Sequence, residues 1–382
     1  MSAPHRIVIA GAGGMGSAVG LLLREMGDAP CDLWLGDAAE ERAAEAAAWL
    51  REGSSRPGAV VPFHLPPSGS GPELERALDD AELLLDCLPG EEAVRMARLA
   101  RRHDLHYANL TEHVAATDAI RREIAPGAPR GFLLQTGLAP GVVNVLGHGL
   151  FRRFCREQGV ERADSLAMRV GALTANAQPP HYYAFTWNSH GVATEYVKHA
   201  IVVRDGARTT LPSLSERAAV LIGGVLYEED LTSGGAADLP EALAGRVRHL
   251  DYKTLRWPGH YGWVDGILEA MPPGADPVEH LHAELVRVVP RVEDDDLVVV
   301  YAAVQGRDAH GILHRLEIWR RVPPFRCGPR TLRAIQATTA AGMAESARLL
   351  LTGRHAGPVL QSQIDPESFL SGPFVGPIYG LR

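Results

Sequence analysis

Short apolar runs alternate with segments of helical spacing along the first 140 residues. The apolar runs predict strands at 6–10, 31–36, 59–64, 83–88, 106–109 and 132–135. The segments between them predict helices at 17–26, 38–51, 72–79 and 91–103. Strands that alternate with helices are typical of a doubly wound parallel sheet, because each crossover between parallel strands carries a helix. We therefore expect an α/β fold with such a sheet in this part of the chain.

The pattern changes after residue 141, where a second, mixed α+β domain is predicted. Its predicted elements are a helix at 142–157 and strands at 165–172, 297–305 and 311–322, followed by a long Ala-rich helix at 331–351. We expect 1–140 and 329–382 to form one domain, and 141–328 to form a domain for substrate binding and dimerisation. The apolar strands on either side of a polar loop at 306–310 suggest a hairpin. Its edge would be exposed unless another chain covered it, so we expect a homodimer or a higher homo-oligomer.

A glycine motif of the form G-x-G-x-x-G lies between the first predicted strand and the first predicted helix. It reads Gly11-Ala12-Gly13-Gly14-Met15-Gly16. In a dinucleotide site, Gly11 allows the tight turn, Gly13 lets the backbone approach the pyrophosphate, and Gly16 permits close packing of helix on strand. The free N–H groups of the helix would bind the anion. A glycine-rich turn that binds nothing is the alternative. The position between strand and helix favours a Rossmann-type domain, with Gly11, Gly13, Gly14, Met15 and Gly16 at the cofactor.

Asp37 ends the second predicted strand, 21 residues beyond Gly16. Its carboxylate would accept hydrogen bonds from the ribose hydroxyls and repel a 2′-phosphate, and two alanines follow it rather than an arginine. NAD is therefore expected rather than NADP. An aspartate that caps the next helix is the alternative, and it is compatible with this role. Leu88 and Pro89, after the fourth strand, are expected beside the ribose and nicotinamide.

Composition and charge exclude several classes of protein. The net charge is −8 without a basic run, so neither nucleic acid nor an anionic membrane is an expected partner. The longest apolar run, 297–304, is too short to span a bilayer, and the N-terminus carries no targeting pattern, which predicts a cytoplasmic protein. The four cysteines form no C-x-x-C pair and there is no H-E-x-x-H or G-x-S-x-G motif, so we expect no metal site, disulfide framework or serine nucleophile.

Several segments of the second half resemble the saccharopine dehydrogenase family. They are 137–141 (GLAPG), 185–191 (FTWNSHG), 252–260 (YKTLRWPGH) and the pair Thr338-Thr339. The resemblance covers nearly the whole chain in order. Further runs at 179–180, 203–206, 212–216 and 232–235 resemble its L-lysine 6-dehydrogenase branch. Membership implies an NAD(P)-dependent oxidoreductase that acts on a CH–NH₂ or CH–NH group of an amino acid.

Three positions depart from the pattern of the family. Saccharopine-forming members typically carry Asp at the position of Ala139 and Arg at that of His190, and an acid commonly stands where this chain has Asn109. The resemblance therefore implies oxidation of L-lysine at C6 to the 6-semialdehyde, which cyclises to piperideine-6-carboxylate, with release of ammonia. One alternative is reductive condensation, as in saccharopine or carboxynorspermidine formation. An alternative of another class is a non-catalytic NAD-binding sensor or assembly protein.

Oxidative deamination needs a proton acceptor, an activated water and a grip on the distal amino-acid head. Lys253 and Arg256, three residues apart, suit a carboxylate grip, although a solvated charged turn would look the same. His260 is a candidate base or an ordinary surface histidine. The remaining candidates are His181 and Glu195 for catalysis, with Tyr182, Asn188, His190 and Thr111 for substrate binding. Helix capping is the alternative for Thr111.

Overall fold

The computed structural model describes residues 4–291 and 295–381. Its strands are β1 His5–Ala10, β2 Cys31–Asp37, β3 Val60–His64, β4 Leu83–Asp86, β5 His106–Asn109, β6 Gly131–Leu133, β7 Ala163–Thr174, β8 Ala200–Arg204, β9 Ala207–Leu211, β10 Ala218–Ile222, β11 Val225–Leu231, β12 Val247–Arg256, β13 Asp296–Arg307, β14 Leu313–Val322, β15 Phe325–Cys327, β16 Arg330–Leu332 and β17 Gly357–Val359.

Its α-helices are α1 Gly14–Met26, α2 Glu40–Gly53, α3 Pro72–Asp79, α4 Ala93–Arg102, α5 Val114–Ala119, α6 Val142–Gln158, α7 Ser189–Val197, α8 Leu239–Ala242, α9 His260–Glu269, α10 Pro277–Val288, α11 Ala334–Thr352, α12 Pro366–Leu370 and α13 Val375–Tyr379. A π turn follows α5 at Ile120–Ile124, and 3₁₀ turns lie at Gly90–Glu92 and Gln361–Gln363. Among the described residues, no helix combines the length and the apolar character needed to cross a membrane.

The chain divides into two units. The first comprises Met1–Val142, Phe325–Leu332 and Gln336–Arg382, and the second comprises Val143–Pro324 and Arg333–Ile335. The first unit contains a parallel seven-stranded sheet in the order β17-β6-β5-β4-β1-β2-β3. The order changes direction between β1 and β4, and ligands of doubly wound sheets bind at such a switch point. The predicted Rossmann-type fold is confirmed.

The second unit contains a mixed eight-stranded sheet. Its main path runs β10-β11-β12-β7-β13-β14; β8 also pairs with β12, and β9 pairs with β8. The pairing of β7 with β12 is parallel, whereas β13 pairs antiparallel with both β7 and β14. A cluster of aromatic and aliphatic residues packs between α7, α9 and α10, including Tyr183, Tyr196 and Tyr261. The predicted mixed α+β character of this region is confirmed.

Element boundaries shift where polar side chains bind the backbone. The predicted helix at 38–51 begins instead at Glu40, because Asp37 accepts a hydrogen bond from the Ala39 N–H and keeps the chain extended there. The helix predicted at 331–351 begins at Ala334, whose N–H donates to the carboxylate of Asp296. β14 begins at Leu313 rather than 311, because Asp308 holds the preceding turn through the N–H groups of 310 and 312.

Candidate cofactor and substrate sites

Two positions of the glycine turn in the first unit, Gly16 and Gly11, favour glycine for different reasons. A Cβ on Gly16 would lie 2.0 Å from the carbonyl oxygen of Gly11, and Gly11 itself has a left-handed φ of 97°. A Cβ on Gly13 would meet nothing within 4 Å, so this backbone borders open space at the start of α1. The first N–H groups of a helix have no partner within it. The turn therefore offers the close approach and the free donors that a pyrophosphate requires.

Two other residues of the motif line the same turn. Gly14 lies against Gln336, whose side-chain amide donates weakly to the Gly14 carbonyl oxygen at 3.5 Å. A Cβ on Gly14 would approach that amide nitrogen to 2.9 Å. Met15 is half-buried in the first turn of α1. Gln336 was not singled out from the sequence, because it lies 322 residues away and no local pattern marks it.

Asp37 is buried beside the glycine turn, with 6% of its surface exposed. One carboxylate oxygen accepts from the Ala12 N–H at 3.1 Å, and the other accepts from the Ala39 N–H at 3.1 Å and from Arg42 at 3.4 Å. A carboxylate has about four acceptor positions, so these three donors leave room for a ribose hydroxyl. Arg42 follows Asp37 by five residues and was missed in the sequence, because no pattern next to Asp37 marks it. Its exposed guanidinium is also a possible partner for a 2′-phosphate.

A buried polar chain lies at the carboxyl ends of β4 and β5. Burial raises the pKa of Asp86 to about 7. Its carboxyl group accepts from the Tyr107 hydroxyl at 2.8 Å and from the Leu88 N–H at 3.0 Å. Asn109 donates to the Tyr107 hydroxyl at 3.3 Å and accepts from the Gln135 N–H at 2.9 Å. Asp86 was missed from the sequence, although an acid at the end of a buried strand was a usable signal.

Leu88, Pro89 and Thr111 lie in the two loops that follow these strands. Leu88 packs toward Gly11, where an added Cβ would come within 3.2 Å of its side chain, and Pro89 is exposed. Thr111 is 5% exposed, and its hydroxyl accepts from the His113 N–H at 3.1 Å. The N-cap of α5 is His113 rather than Thr111. The roles predicted for these three residues in cofactor and substrate binding stay predictions.

Arg256, at the end of β12 in the second unit, is caged by aromatic rings. It is 1% exposed, and its guanidinium carbon lies 4.7 Å from the ring centre of Tyr183 and 5.5 Å from that of Tyr196. Its Nε donates to the Tyr196 hydroxyl at 2.6 Å and Nη1 donates to its neighbour's carbonyl oxygen at 3.1 Å. Burial lowers its pKa, but the surrounding tyrosines and Glu195 outweigh burial and hold the pKa above its ordinary value. Arg256 is therefore a permanent buried cation.

His260 continues the same hydrogen-bond chain. Its Nδ1 lies 2.7 Å from the carbonyl oxygen of His181 and so donates, which leaves Nε2 to accept from the Tyr196 hydroxyl at 2.9 Å. The residue is fully buried, and burial together with the charge of Arg256 lowers its pKa to about 3. With both ring nitrogens bonded and the charged form disfavoured, His260 orients its neighbours in this structure. Its predicted catalytic role stays a prediction.

His181 and Tyr182 lie against the start of α9. The Nδ1 of His181 accepts from the Tyr183 N–H at 3.2 Å, so the neutral ring carries its hydrogen on Nε2. Tyr182 has a φ of 47°, and its ring covers Gly259, where a Cβ would come within 2.7 Å of it. The geometry brings His181 next to His260, so two of the predicted catalytic residues do lie together.

The three candidates on and before α7 have different surroundings. Asn188 is exposed and caps α7, accepting from the His190 N–H at 3.0 Å. His190 pairs at the surface with Glu279, at 3.2 Å, and its side chain is 44% exposed. Glu195 is buried, and its negative charge acts on the pKa of Arg256 and Tyr196. The structure therefore brings Glu195 close to Arg256, whereas Asn188 and His190 make structural contacts.

Lys253 lies in a buried ion network instead of beside Arg256. Its ammonium donates to the Glu216 carbonyl oxygen at 2.5 Å and lies 3.5 Å from Glu229. Successive side chains of a strand point to opposite faces, so residues three apart on β12 cannot face the same way. The structure does not bring Lys253 and Arg256 together, and a substrate contact by Lys253 stays a prediction. Tyr183 and Tyr196, which do surround Arg256, were missed because they lie in other segments of the chain.

A surface cluster in the first unit is the one metal-compatible group found among residues 4–291 and 295–381. Glu75, Asp79 and His103 bring their ligand atoms within 4.8 Å of one another. The two ring nitrogens of His103 already contact these carboxylates, at 2.9 Å and 3.3 Å. Ion pairing accounts for the cluster, so it gives no reason to assign a metal.

Comparisons with known proteins agree with both units. Residues 7–126 match the model of the saccharopine dehydrogenase NADP binding domain, and residues 137–371 match that of the saccharopine dehydrogenase C-terminal domain. With the glycine turn and Asp37, these matches define an oxidoreductase that uses a nicotinamide cofactor. The chain belongs to the saccharopine dehydrogenase family.

Two solved structures show the same fold over nearly their whole length. Saccharopine dehydrogenase (L-Glu forming) from Saccharomyces cerevisiae is 14% identical, with a TM-score of 0.69, and the match covers 96% of this chain and 97% of that one. Homospermidine synthase from Legionella pneumophila, in complex with NAD, is 13% identical with a TM-score of 0.68, and the match covers 98% and 90%. At these identities the likeness shows the fold alone.

Proposed function

We propose that this protein is an NAD-dependent L-lysine 6-dehydrogenase, which converts C6 of L-lysine to the 6-semialdehyde and releases ammonia. The observation that carries the proposal is the aromatic cage of Arg256, a buried cation whose nearest described groups are tyrosines rather than a tight carboxylate partner. A cation in such surroundings retains attraction for an anion. It is suited to the α-carboxylate of a free amino acid.

In this proposal, Arg256 and the residues around it bind or position different groups of the substrate. Arg256 would hold the α-carboxylate, and Glu195, whose negative charge reaches Arg256, would hold the α-ammonium. The Tyr196 hydroxyl and His260 fix the guanidinium by the hydrogen-bond chain that ends on the His181 carbonyl oxygen. When bound, NAD supplies the hydride acceptor for C6. These contacts anchor the amino-acid head and thereby position the distal C6 amine.

Two features favour deamination over condensation with a second dicarboxylic acid. Ala139 offers no polar side chain where saccharopine-forming relatives have Asp. His190, at the position of their Arg, is paired with Glu279 at the surface. Of the two positions that would bind glutamate, one therefore lacks a polar side chain and the other is already paired with Glu279. Reductive condensation remains the competing function, and a non-catalytic NAD-binding protein is the competitor from another class.

A substrate screen tests the proposal directly. With L-lysine and NAD we expect NADH and ammonia in about equal amounts, at rates that rise toward pH 10, where the substrate amine loses its proton. Saccharopine with NAD, and lysine with 2-oxoglutarate and NADH, serve as the condensation arms. Turnover in either arm without turnover of lysine would replace the proposal with condensation. If the protein bound NAD but no substrate changed the NADH absorbance, the non-catalytic NAD-binding protein would be favoured.

The choice of NAD over NADP rests on Asp37, and Arg42 provides a matched comparison. Asp37→Ser should increase the use of NADP relative to NAD, because it removes the charge that repels a 2′-phosphate and that accepts the ribose hydroxyls. Arg42→Ala should leave the KM for NAD within about twofold. Steady-state KM values for both cofactors measure the effect. Equal use of NAD and NADP by the unchanged protein would contradict the assignment.

The proposed assembly is a homodimer that covers the edge strand β14. This strand ends the sheet path of the second unit, and Leu313 and Trp319 are exposed along it, at 50% and 38%. Long exposed edges recruit another strand unless something covers them. Sizing by light scattering at low concentration should give about twice the 41.1 kDa of one chain. A single-chain mass would argue against the dimer.

A further inference from the structure

An open pocket of about 380 Å³ lies along one face of α6 in the second unit. Its lining residues are His148, Arg152, Cys155, Arg156 and Arg246. The first four are spaced by four, three and one residues, which places them along one helix face. Arg246 comes from the turn before β12. The pocket thus presents three guanidinium groups on a protein whose net charge is −8, and none of its residues has a role in the proposed reaction.

The positive charge of this pocket acts on His148. Burial, then Arg152 and Arg246, lower the pKa of His148 to about 4. Arg246 stacks over Phe151, with 5.0 Å between the guanidinium carbon and the ring centre. Over the described ranges 4–291 and 295–381, no hydrogen bond or ion pair engages the side chain of Arg156 or Arg246. At least two of the three guanidinium groups therefore keep their donors available.

The imidazole of His148 gives a second, independent sign of a missing partner. His148 is 8% exposed, and its Nδ1 is buried without a hydrogen bond within the described part of the chain. A buried polar atom that lacks a partner costs stability, so such atoms are rare. The orientation of a histidine ring follows its hydrogen bonds, and an oxyanion in the pocket could set that orientation.

A larger neighbouring cavity shows what a neutralised arginine cluster looks like. This cavity of about 750 Å³ shares Arg246 and adds three other arginines, but Glu161, Asp164 and Asp205 line it as well. Asp205 pairs there with Arg248 at 3.2 Å. No acid among the described residues lines the smaller pocket. The excess of positive charge is therefore concentrated at the α6 pocket.

We propose that the α6 pocket binds a small organic anion with two or more negative charges, either a phosphate ester or a di- or tricarboxylate. Guanidinium groups present paired donors that match the oxygens of phosphate and carboxylate. The pocket volume lies in the range of sites for small metabolites and exceeds what one inorganic phosphate fills. Both ligand classes share the chemistry of clustered anionic oxygens, and the test below separates them.

Isothermal titration calorimetry on the full chain tests the proposal, with glucose 6-phosphate, citrate and inorganic phosphate as probes at constant ionic strength. We expect one saturable site per chain for glucose 6-phosphate or for citrate, whichever class fits, at least about tenfold tighter than for inorganic phosphate. Arg156→Ala and Arg246→Ala should each weaken binding about tenfold or more, since each removes a charged hydrogen-bond donor. Both arginines are exposed, so these variants should fold.

Arg153→Ala is the matched control, because Arg153 lies on α6 outside the pocket and pairs with Glu157. It should bind the anion like the unchanged protein. Arg246 has no part in the proposed reaction, so with lysine as substrate the KM of Arg246→Ala should remain within about twofold of the unchanged value; the calorimetry tests the pocket independently of that reaction. Absence of saturable binding for all three probes would overturn the proposal. The proposal would also fail if Arg246→Ala bound the organic anions as tightly as the unchanged protein does. It would fail as well if inorganic phosphate bound as tightly as both organic anions.

Discussion

The two faces of β12 hold buried cations in opposite electrostatic surroundings. On one face, Lys253 belongs to a network of three cations and three carboxylates, formed by Arg169, Arg204, Lys253, Glu216, Glu229 and Asp251. On the other face, Arg256 lies among tyrosines and His260, with Glu195 acting on it from nearby. Removing a cation that its partners neutralise leaves buried charges uncompensated and destabilises the fold, whereas a cation held mainly by neutral groups remains attractive to an anionic ligand. From this comparison we expect the first face to contribute to stability and the second to carry the proposed substrate recognition.

The ion network should show the largest effect on stability. Arg169 bonds Glu229 at 2.6 Å and Asp251 at 2.7 Å, and it is 7% exposed. Burial alone would raise the pKa of Asp251, but Arg169 and Arg204 outweigh it and lower that pKa. Arg169→Met would leave two buried carboxylates undercompensated, so the free energy of unfolding should fall by about 3–5 kcal/mol in urea titrations. The exposed control Arg153→Ala should change it by less than about 0.5 kcal/mol. A similar small change in both variants would contradict the assigned role of the network.

The cage should respond to acid through His260, which burial and the charge of Arg256 hold in its neutral form. The folded pKa of His260 is about 3, well below the unfolded value of about 6.5. Its contribution is therefore fully present above pH 6.5 and is lost as the pH falls toward 3, at about 1.4 kcal/mol per pH unit. Urea titrations at pH 4.5 and pH 7 should show that this contribution to the free energy of unfolding is smaller by roughly 2–3 kcal/mol at pH 4.5.

His260→Gln isolates this contribution, because other groups titrate in the same range. His148, with a pKa lowered to about 4 by burial and two arginines, also destabilises the folded state on acidification. Asp86, with a pKa raised to about 7 by burial, acts with the opposite sign. Both remain in the variant, so the difference between the two pH profiles belongs to His260. Parallel profiles would mean that His260 is not held neutral by the cage.

Local patterns predicted the first unit better than they predicted the cage around Arg256 in the second. The glycine turn and Asp37 are close in sequence, and the strand and helix periods around them fix their relation, so their geometry followed from the sequence. The cage around Arg256 is instead formed by residues that are distant in sequence. Arg256 meets Tyr196 from 60 residues earlier, and no local period reveals such a contact. The spacing of Lys253 and Arg256 suggested a shared grip, but once both lie on a strand, a separation of three places them on opposite faces.

The last and smallest expected effect distinguishes the two cations by enzyme kinetics. Arg256→Lys keeps the positive charge but loses the paired donors and the bond to Tyr196, so the KM for L-lysine should rise about tenfold while kcat changes by no more than about twofold. Lys253→Met should leave that KM within about twofold, because its ammonium is held by Glu216 and Glu229, and should act on stability instead. Initial rates over a range of lysine concentrations, with saturating NAD, measure both. If the two variants raised KM equally, Lys253 would also bind the substrate carboxylate, and the distinction between the two faces would fail. If Arg256→Lys lowered kcat alone, Arg256 would act on the transition state rather than anchor the substrate.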